Sequence, residues 1–498
     1  MLLKPTALPL TAKEFDEAKV GLCMGCGCGC SYIAYLKGDR LVDLYGHPAD
    51  PRGMGSLCSK GMAYVQLVNT SPFRLKGFHL RQGEEFVSVS EGDAVSFLRE
   101  ALKGRVAVLM DRQTASYTDY LMLRELGDIY VDAPVVDFLP STVDFSRWKD
   151  FKFILSWEAE PVYSEVMASR WLVDGVERGA YLVCLSSIHA TVCAKASEKH
   201  LLNPWKQIEF LKEPPLPIKR FLQTVPSLVL VGTSLLASPF KNSVINILYQ
   251  WRKKWKVEYS LVGDLMPYPA GTLQDLFNRL EQYDTFLVLG NLLRYFPPEA
   301  LDVLKSKKVI TFSLFPNFSV HHSHLVISCT FWTEREFIHF RNGFGTLYRT
   351  PPVLKPPQGT FHIPYILQLI TQKREEPLTD LLLEAKPIET VEEKPLPKEG
   401  ILLVCDNTLV EELGRWNLWT HELDKYQKAI LSPATAKVMG VRDSVEIGGV
   451  RFPVEISSNV AEGVIWISSS FEEYQPYDPG VRPGAFMKNP FFRYEVLT

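Results

Sequence analysis

The sequence predicts an α/β protein with a β-rich N-terminal lobe, two doubly wound α/β units of the Rossmann type and a C-terminal β-barrel domain. From about residue 90, helix and strand patterns alternate. A run rich in charge and proline then interrupts them, and the patterns beyond it are mostly strands. We expect a lobe at 1–75, α/β units at 76–225 and 226–372, a linker at 373–399 and a barrel at 400–498.

The β-rich lobe is predicted from residues 31–48, which read SYIAYLKGDRLVDLYGHP. Apolar and polar residues alternate on both sides of Lys37, Gly38 and Asp39. This alternation around a turn is typical of two paired strands.

The two α/β units are predicted from buried strand runs that follow amphipathic helix patterns. The first contains EGDAVSFLREALKG, VAVLM, DYLMLRELG, FKFILSW, SEVMASRWLVDGVERG and AYLVCLSS. The second begins near Ser227 with LVLVG and continues through a helix at 241–255 to VEYSLVG, TLQDLFNRLEQY, TFLVLGN, KKVITFSLF and HLVIS. Such alternation indicates parallel sheets covered on both faces, with a cleft at the strand ends. Neither the dinucleotide-binding nor the P-loop glycine pattern occurs, so neither NAD nor a P-loop nucleotide is supported.

The C-terminal part is predicted to be β-rich from ILLVCDN, SVEIGGVRFPVEIS and GVIWISS. One helix is expected at PATAKVMG. The glycine pair at 448–449 predicts a hairpin turn, and together these segments favour a separate barrel-like domain.

Four cysteines near the N-terminus predict a [4Fe–4S] cluster. Cys23, Cys26 and Cys30 lie in one glycine-rich run, and Cys58 follows after 27 intervening residues, in LCSKG. A cube of four irons needs one thiolate for each iron. The glycines let one tight turn present three sulfurs, so the fourth ligand comes from a later loop.

Zinc and disulfide bonds are the alternative explanations. Zinc also takes four cysteines, commonly as two C-x-x-C pairs, but only Cys23 and Cys26 form such a pair. The nine cysteines cannot all pair in disulfides, and no export signal supports them. Cys28 is a fifth cysteine within the run, so these residues alone leave the third ligand open between Cys28 and Cys30.

Composition excludes several classes of function. Apolar residues at 46% and charged residues at 22% are ordinary for a globular protein, and a net charge of −3 gives no reason to expect nucleic acid. The first 20 residues do not resemble a signal peptide, and no apolar run reaches transmembrane length. We therefore expect a cytoplasmic protein with reduced thiols, associated with a membrane only through partner subunits.

Several segments together resemble the molybdopterin oxidoreductases, which include formate dehydrogenase, formylmethanofuran dehydrogenase and the cofactor-type subunit of respiratory complex I. The cysteine spacing with LCSKG resembles that family's cluster loop. Further similar segments are NTSPFRLKG, FILSWEAEPVYSEVMASRWLVDGVERGAYLVCLSS, CTFWTEREFIHFRNGFGTLYRTPPVL, LSPATAKVMGVRDSVEIGG and FPVEISSNVAEGVIWI. The resemblance covers nearly the whole chain.

The resemblance implies roles for particular residues. Its spacing favours Cys30 as the third cluster ligand, and it implies that Lys60 bridges the cluster and a pterin in electron transfer. It implies that the chain can bind a pair of molybdopterin guanine dinucleotides (bis-MGD), and it does not decide whether their metal is molybdenum or tungsten. Together with the fold, it places pterin contacts in loops that follow strands, at Glu158, Glu160, Pro161, Ser187, His189, Thr191 and Asn291.

The chain also departs from the family. Catalytic members are longer, and the region where they place a metal ligand here reads IYVDAPVVDFLPSTVDF, without a cysteine. Asp137 or Ser141 offers an oxygen ligand there, although both are better explained as loop or cap residues. His321, His322 and His324 precede a strand and are expected in a surface loop rather than at a metal.

Three functions follow from the resemblance. The first is a [4Fe–4S] subunit of an oxidoreductase complex, which passes electrons between a pterin, metal site or partner and other iron–sulfur or membrane redox subunits. The second is a catalytic molybdenum or tungsten enzyme acting on formate, CO2 or a sulfur species. The third is a scaffold with a structural cluster. The absent ligand cysteine favours the first over the second.

Overall fold

The protein is described from a computed structural model. The structure describes residues 14–63, 71–189, 191–266, 269–340, 347–371, 386–396, 400–406, 412–418, 420–491 and 493–497.

The N-terminal lobe is a three-stranded antiparallel sheet. Its strands are β1 Glu17–Leu22, β2 Ser31–Lys37 and β3 Arg40–Gly46. The predicted turn between β2 and β3 is confirmed, and Gly38 takes the positive φ of 57° that the turn requires. Since β1 and β2 pair from Glu17↔Leu36 to Leu22↔Ser31, the ends of the cysteine segment between them are held side by side.

The larger α/β sheet has eight strands in the order β13-β7-β6-β14-β15-β16-β4-β5. The first six run parallel to one another, and β4 and β5 form an antiparallel edge. Its strands are β4 Phe78–Gln82, β5 Glu85–Val89, β6 Val106–Met110, β7 Asp128–Val131, β13 Gly271–Thr272, β14 Thr285–Leu289, β15 Lys308–Ser313 and β16 Leu325–Ser328.

The smaller α/β sheet has five parallel strands in the order β10-β9-β8-β11-β12. Its strands are β8 Phe153–Trp157, β9 Tyr181–Ser186, β10 Glu198–Leu201, β11 Ser227–Gly232 and β12 Glu258–Val262.

The two α/β sheets interleave along the sequence, which differs from the expected tandem order. β11 begins just after residue 225 and pairs with β8 instead of starting a new sheet. The chain then returns through β14 to pair with β6. Hydrophobic periodicity shows that a strand is buried but not which strand lies beside it, so the interleaving could not be predicted. The domain boundaries themselves stay a prediction.

Both sheets are covered on both faces, as a doubly wound fold requires. The helices are α1 Glu91–Ala101, α2 Tyr117–Leu123, α3 Pro161–Ser164, α4 Ser169–Glu177, α5 Pro204–Lys212, α6 Leu216–Thr224, α7 Lys241–Trp255, α8 Leu273–Phe277, α9 Pro298–Leu304, α10 Phe318–His321 and α11 Ile363–Thr371. Val106 and Val108 pack with Leu98 of α1, whereas Ala107 and Leu109 belong to a core on the opposite face. The alternation of side chains along each strand divides the core in this way.

The C-terminal part, expected as a barrel-like domain, is a six-stranded sheet in the order β21-β22-β20-β23-β19-β24. Its elements are β19 Ile401–Asp406, β20 Ala429–Leu431, β21 Ser444–Ile447, β22 Val450–Ile456, β23 Val464–Ser468, β24 Tyr494–Leu497, α12 Pro433–Met439 and α13 Pro483–Phe486. The hairpin at 448–449 is confirmed, because both glycines have positive φ, 55° and 80°. A short hairpin, β17 Phe337–Phe340 and β18 Leu347–Thr350, precedes this part.

The linker is described only at 386–396, where it lies along α7. Asn246 both donates to the carbonyl of Val391 and accepts from its amide, and Asn242 donates to Glu392. The rest of the predicted linker, residues 373–385 and 397–399, lies outside the described residues. Among the helices that the structure describes, none is long and apolar enough to cross a membrane.

One disulfide bond corrects the expectation of reduced thiols. Cys184 of β9 is joined to Cys193 in the following 3-10 turn. Both are buried in the core that also contains Cys28 and Cys30. Spacing alone did not distinguish these two cysteines, because the contact forms only when the chain folds back after β9.

A buried ion pair ties α2 to the segment before β17 and gives a stability prediction. Arg335 donates to both carboxylate oxygens of Asp119, at 2.9 and 2.5 Å, and both side chains are almost fully buried. Replacing Asp119 with alanine leaves the buried guanidinium of Arg335 without its carboxylate, so we expect the free energy of unfolding to fall by about 3 kcal/mol or more. Urea denaturation measures it.

The matched control is Glu100→Ala, which removes a pair to Lys103 whose side chains are 73% and 70% exposed. Exposed pairs contribute little, so this variant should unfold like the parent. If both variants lost the same free energy of unfolding, burial would not make the pair between Arg335 and Asp119 more stabilising than an exposed pair.

Candidate iron–sulfur site and strand-end cleft

The cysteine segment is closed by its own backbone. The amide of Cys23 donates to the carbonyl of Cys30 at 2.8 Å, directly beyond the last pair of β1 and β2. Within the loop, Gly29 has a positive φ of 52° and donates to the carbonyl of Cys26 at 3.3 Å. A closed loop of this kind holds its cysteines in one small volume.

The segment around Cys58 comes close to this loop because Gly61 lacks a side chain. A methyl group added at Gly61 would lie 3.2 Å from the sulfur of Cys23. The carbonyl of Cys58 accepts from the amide of Met62 at 3.1 Å, which bends the segment into a turn. Cys58 is thereby brought beside Cys23, although the two are far apart in sequence.

The pKa values of the thiols show how closely the cysteines lie. Burial, followed by the charges of Cys58 and Cys26, raises the pKa of Cys23 far above its ordinary value. Burial and the charge of Cys26 likewise raise the pKa of Cys58. Without iron these thiols keep their protons at neutral pH, so binding iron must release them.

The fifth cysteine, Cys28, lies between two of the others. A hydrogen bond from Cys28 lowers the pKa of Cys30, but burial and the charges of Cys26, Cys23 and Cys58 raise it overall. Burial raises the pKa of Cys28, and its charged neighbours are Cys30 and Glu165. Cys30 therefore lies near the other three expected ligands, but Cys28 is hydrogen-bonded to both Cys26 and Cys30, so the choice of Cys30 as the third ligand stays a prediction.

A single-ion site requires a different arrangement. In the part of the chain that the structure describes, no three histidine, cysteine, aspartate or glutamate side chains converge on one ion. Tetrahedral zinc requires such convergence, whereas a four-iron cube takes one sulfur at each of its separate irons.

Two cations lie beside the cysteines. The ammonium of Lys60 donates to the carbonyl of Tyr163 at 2.5 Å, and its charge acts to lower the pKa of Cys58. Arg112, which sequence reasoning missed, donates to the carbonyl of Gly25 in the cysteine loop at 3.2 Å. Its charge acts to lower the pKa of Cys23. The available signal was its position just after the buried run VAVLM.

A cleft lies beside Lys60, where strands of the smaller sheet end. Its lining includes four acidic side chains and two basic ones, Glu158, Glu160, Asp264, Asp406, Lys60 and Arg493. Arg112 pairs with Asp264 at 2.7 Å, so it connects the cysteine loop to this wall. Arg493 pairs with Asp406. Even with both bases charged, the acids outnumber them.

Four acidic residues, not all of them in the cleft lining, share one position in the fold, just after the end of a strand. Asp111 follows β6, Asp132 follows β7, Glu158 follows β8 and Asp264 lies two residues after β12. Burial raises the pKa of Asp111 and Glu158 to about 7 and that of Asp132 to about 6. The charge of Asp132 further raises the pKa of Asp111, so these carboxylates affect one another.

The expected pterin contacts are only partly brought together. Glu158 and Glu160 line the cleft, whereas Ser187, Thr191 and Asn291 are not among its walls. Ser187 donates its amide to Glu158 at 2.7 Å, and the hydroxyl of Thr191 donates to that of Tyr163 at 2.7 Å.

Two further expected contacts serve the packing of the C-terminal part. The amide of His189 donates to the carbonyl of Asn459 at 2.7 Å. Asn291 donates to Glu472 at 2.6 Å and to Glu412 at 2.9 Å. Both residues thus connect the α/β sheets to later segments, and their roles toward a pterin stay predictions.

The two candidate oxygen ligands lie outside the cleft lining. Asp137 is exposed. Ser141 is buried, and its hydroxyl bonds to the carbonyl of Val143 at 2.6 Å and to Ser260 at 2.9 Å. Neither is brought to the cysteines or to Lys60.

The histidine cluster is engaged in ring contacts. His321 stacks on Tyr474 with ring centroids 3.6 Å apart, and His322 stacks on Phe318 at 4.2 Å. Burial lowers the pKa of both imidazoles. His321 is exposed and His322 is half-buried, so both lie at the surface as expected, although His321 ends the helix α10 instead of lying in a loop.

Comparison with known proteins shows similarity both in sequence and in fold. Residues 17–70 match the family model of the molybdopterin oxidoreductase Fe4S4 domain. The whole chain is similar in structure to acetylene hydratase from Pelobacter acetylenicus, with a TM-score of 0.72, 13% identity, and coverage of 95% of this chain and 96% of that chain. No curated protein matches the sequence. At this identity the structural likeness concerns the fold, and the domain match confirms the predicted [4Fe–4S] cluster.

The choice of the third ligand can be tested directly. Replacing Cys30 with serine should remove the visible absorbance of the cluster and most of the iron, because one iron loses its thiolate. Cys28→Ser is the matched control in the same loop and should retain both. Cluster retained in Cys30→Ser and lost in Cys28→Ser would reverse the assignment.

Proposed function

We propose that this chain, which has the Fe4S4 domain and the fold of the molybdopterin oxidoreductase family, is a [4Fe–4S] subunit of a redox complex. It passes electrons between a partner or pterin–metal site and other iron–sulfur subunits. The observation that carries this proposal is the grouping of four cysteines, from two segments, beside Lys60 and Arg112.

The residues around the cluster suit electron transfer. The cluster supplies the exchange of single electrons, and four thiolates would hold it. Each added electron increases the negative charge, which nearby fixed positive charges stabilise. Lys60 and Arg112 provide such charges, and Arg112 is held by Asp264 in an almost buried side-chain position. Cys26 and Cys58 are only partly buried, so they mark the side on which a redox partner would approach.

A catalytic molybdenum or tungsten enzyme is the second candidate, favoured by the likeness to acetylene hydratase over almost the full chain. The fold is compatible with bis-MGD. The cleft suits its diphosphate groups poorly, because four acidic side chains line it against two basic ones. Asp137 and Ser141 are also not among its walls. We therefore place the electron-transfer subunit first.

The partners are expected to be other iron–sulfur or membrane redox subunits in a hetero-oligomeric complex. A single cluster exchanges one electron at a time, and the chain offers no pattern for NAD or a P-loop nucleotide. Electrons must therefore enter and leave through other subunits or small carriers.

Metal analysis of the full-length protein, purified anaerobically, tests the proposal. We expect about four irons and four sulfides per chain, no stoichiometric molybdenum or tungsten, and a cluster that is reversibly reduced in a potentiometric titration. One molybdenum or tungsten per chain would restore the catalytic candidate. A cluster that cannot be reduced reversibly would leave only a scaffold.

The role of Lys60 gives a second prediction. Lys60→Met removes a positive charge near Cys58 and should shift the midpoint potential downward by tens of millivolts and slow electron transfer, with the iron content unchanged. Lys103→Met, an exposed lysine in a pair with Glu100, is the control. Identical potentials and rates in the two variants would exclude an electrostatic role for Lys60.

A further inference from the structure

The backbone amides at the strand ends are already bonded to side chains of this protein. In nucleotide-type α/β folds, diphosphates bind N–H groups at helix N-termini and at the carboxyl ends of parallel strands. Here the corresponding amides donate to four glutamates, called the internal carboxylates below, Glu158, Glu160, Glu165 and Glu472.

Two internal carboxylates serve the loops after β8 and β9. Glu158 accepts from the amide of Ser187 at 2.7 Å and from the side-chain amide of Gln207 at 2.5 Å. Glu160 caps α3 by accepting from the amide of Val162 at 3.1 Å, and its second oxygen accepts from that of Val192 at 3.4 Å. One carboxylate thus bridges the segments that follow two adjacent parallel strands.

The other two lie at different strand ends. Glu165 is fully buried and accepts from the amide of Gly263, just after β12, at 3.4 Å. Glu472 is also buried and accepts from the amide of Phe318, the first residue of α10, at 3.4 Å. Because Glu472 comes from the C-terminal part, a side chain remote in sequence supplies the acceptor for the helix that follows β15, and burial raises the pKa of this carboxyl to about 8.

A carboxylate side chain can chemically take the place of a bound anion. It accepts several hydrogen bonds with two oxygens, and a covalently attached group loses less entropy on binding than a diffusible ligand. Burial raises the pKa of Glu158 and Glu160 to about 7, which shows how closely the protein encloses them. A dinucleotide would have to displace these bonds and approach the charges of Asp264 and Asp406.

We infer that the internal carboxylates occupy the positions of the diphosphate groups, so that the cleft is completed by the protein and excludes pterin dinucleotides. This inference rests on the proposed function, in which the cluster alone exchanges electrons. It also accounts for four acids that an electron carrier does not otherwise need, of which Glu165 and Glu472 are buried and Glu158 and Glu160 are half-buried. Lys60 and Arg493 then act as counter-charges within the cleft instead of as ligands for a phosphate.

The test uses the full-length protein with its cluster and guanosine diphosphate as the probe. The parent protein should show no saturable binding by calorimetry and release no stoichiometric pterin or guanine nucleotide on acid denaturation. At pH 8, above the pKa values of about 7, the double variant Glu158→Gln, Glu160→Gln removes most of two negative charges. Each substitution keeps one acceptor oxygen, so the change at Glu160 also removes one of its bonds from the amides of Val162 and Val192. The double variant should bind the probe at least about tenfold more tightly than the parent, the factor that corresponds to about 1.4 kcal/mol.

Glu213→Gln is the matched control, since Glu213 is exposed and is not part of the cleft wall. If the double variant loses its cluster absorbance, Glu160→Gln alone replaces it. Stoichiometric pterin in the parent, or binding by the cleft variants no tighter than by the control, overturns the inference. Failure of the proposed function would appear separately, as a cluster that is not reversibly reduced while the probe still does not bind.

Discussion

The structure depends on bringing four thiolates from two separate segments to one small site. The pairing of β1 with β2 fixes both ends of the first segment, and the bond from Cys23 to Cys30 closes it. Gly61 lets the second segment approach the sulfur of Cys23. Burial then makes each thiolate charge costly, so iron and the cations must compensate it. This requirement constrains the N-terminal lobe, and it also constrains Arg112, which lies two residues after the end of β6.

A second constraint arises at the carboxyl ends of the parallel strands, where unpaired amides need acceptors. An anionic ligand satisfies them in many α/β proteins. In this chain acidic side chains do so, and two of them, Glu158 and Glu160, also line the cleft that a ligand would enter. Burial raises the pKa values of both to about 7. The same carboxylates therefore complete the fold and make the cleft unfavourable for anions.

Features predicted from the sequence were those determined by neighbouring residues. The turn at Gly38, the glycine hairpin at 448–449 and the alternation of strands and helices depend on local backbone freedom and periodicity. The interleaved sheets, the disulfide at Cys184 and the position of Arg112 depend on contacts between distant segments, which periodicity does not encode. Glu158 and Glu160 had a local signal, their position just after the buried run FILSW. They were interpreted as pterin contacts because the amides to which they bond were unknown.

Fold and side chains support different conclusions about the cleft. A TM-score of 0.72 at 13% identity shows that the backbone arrangement persists while most side chains differ. Backbone amides at strand ends persist with the fold, so any chain of this fold retains the capacity to hold an anion there. Whether a cofactor or the chain supplies that anion is decided by single residues. Glu160 alone accepts from amides in the segments after two different strands, through both of its oxygens. The cofactor content of such a chain is thus better inferred from those few side chains than from its overall likeness to an enzyme.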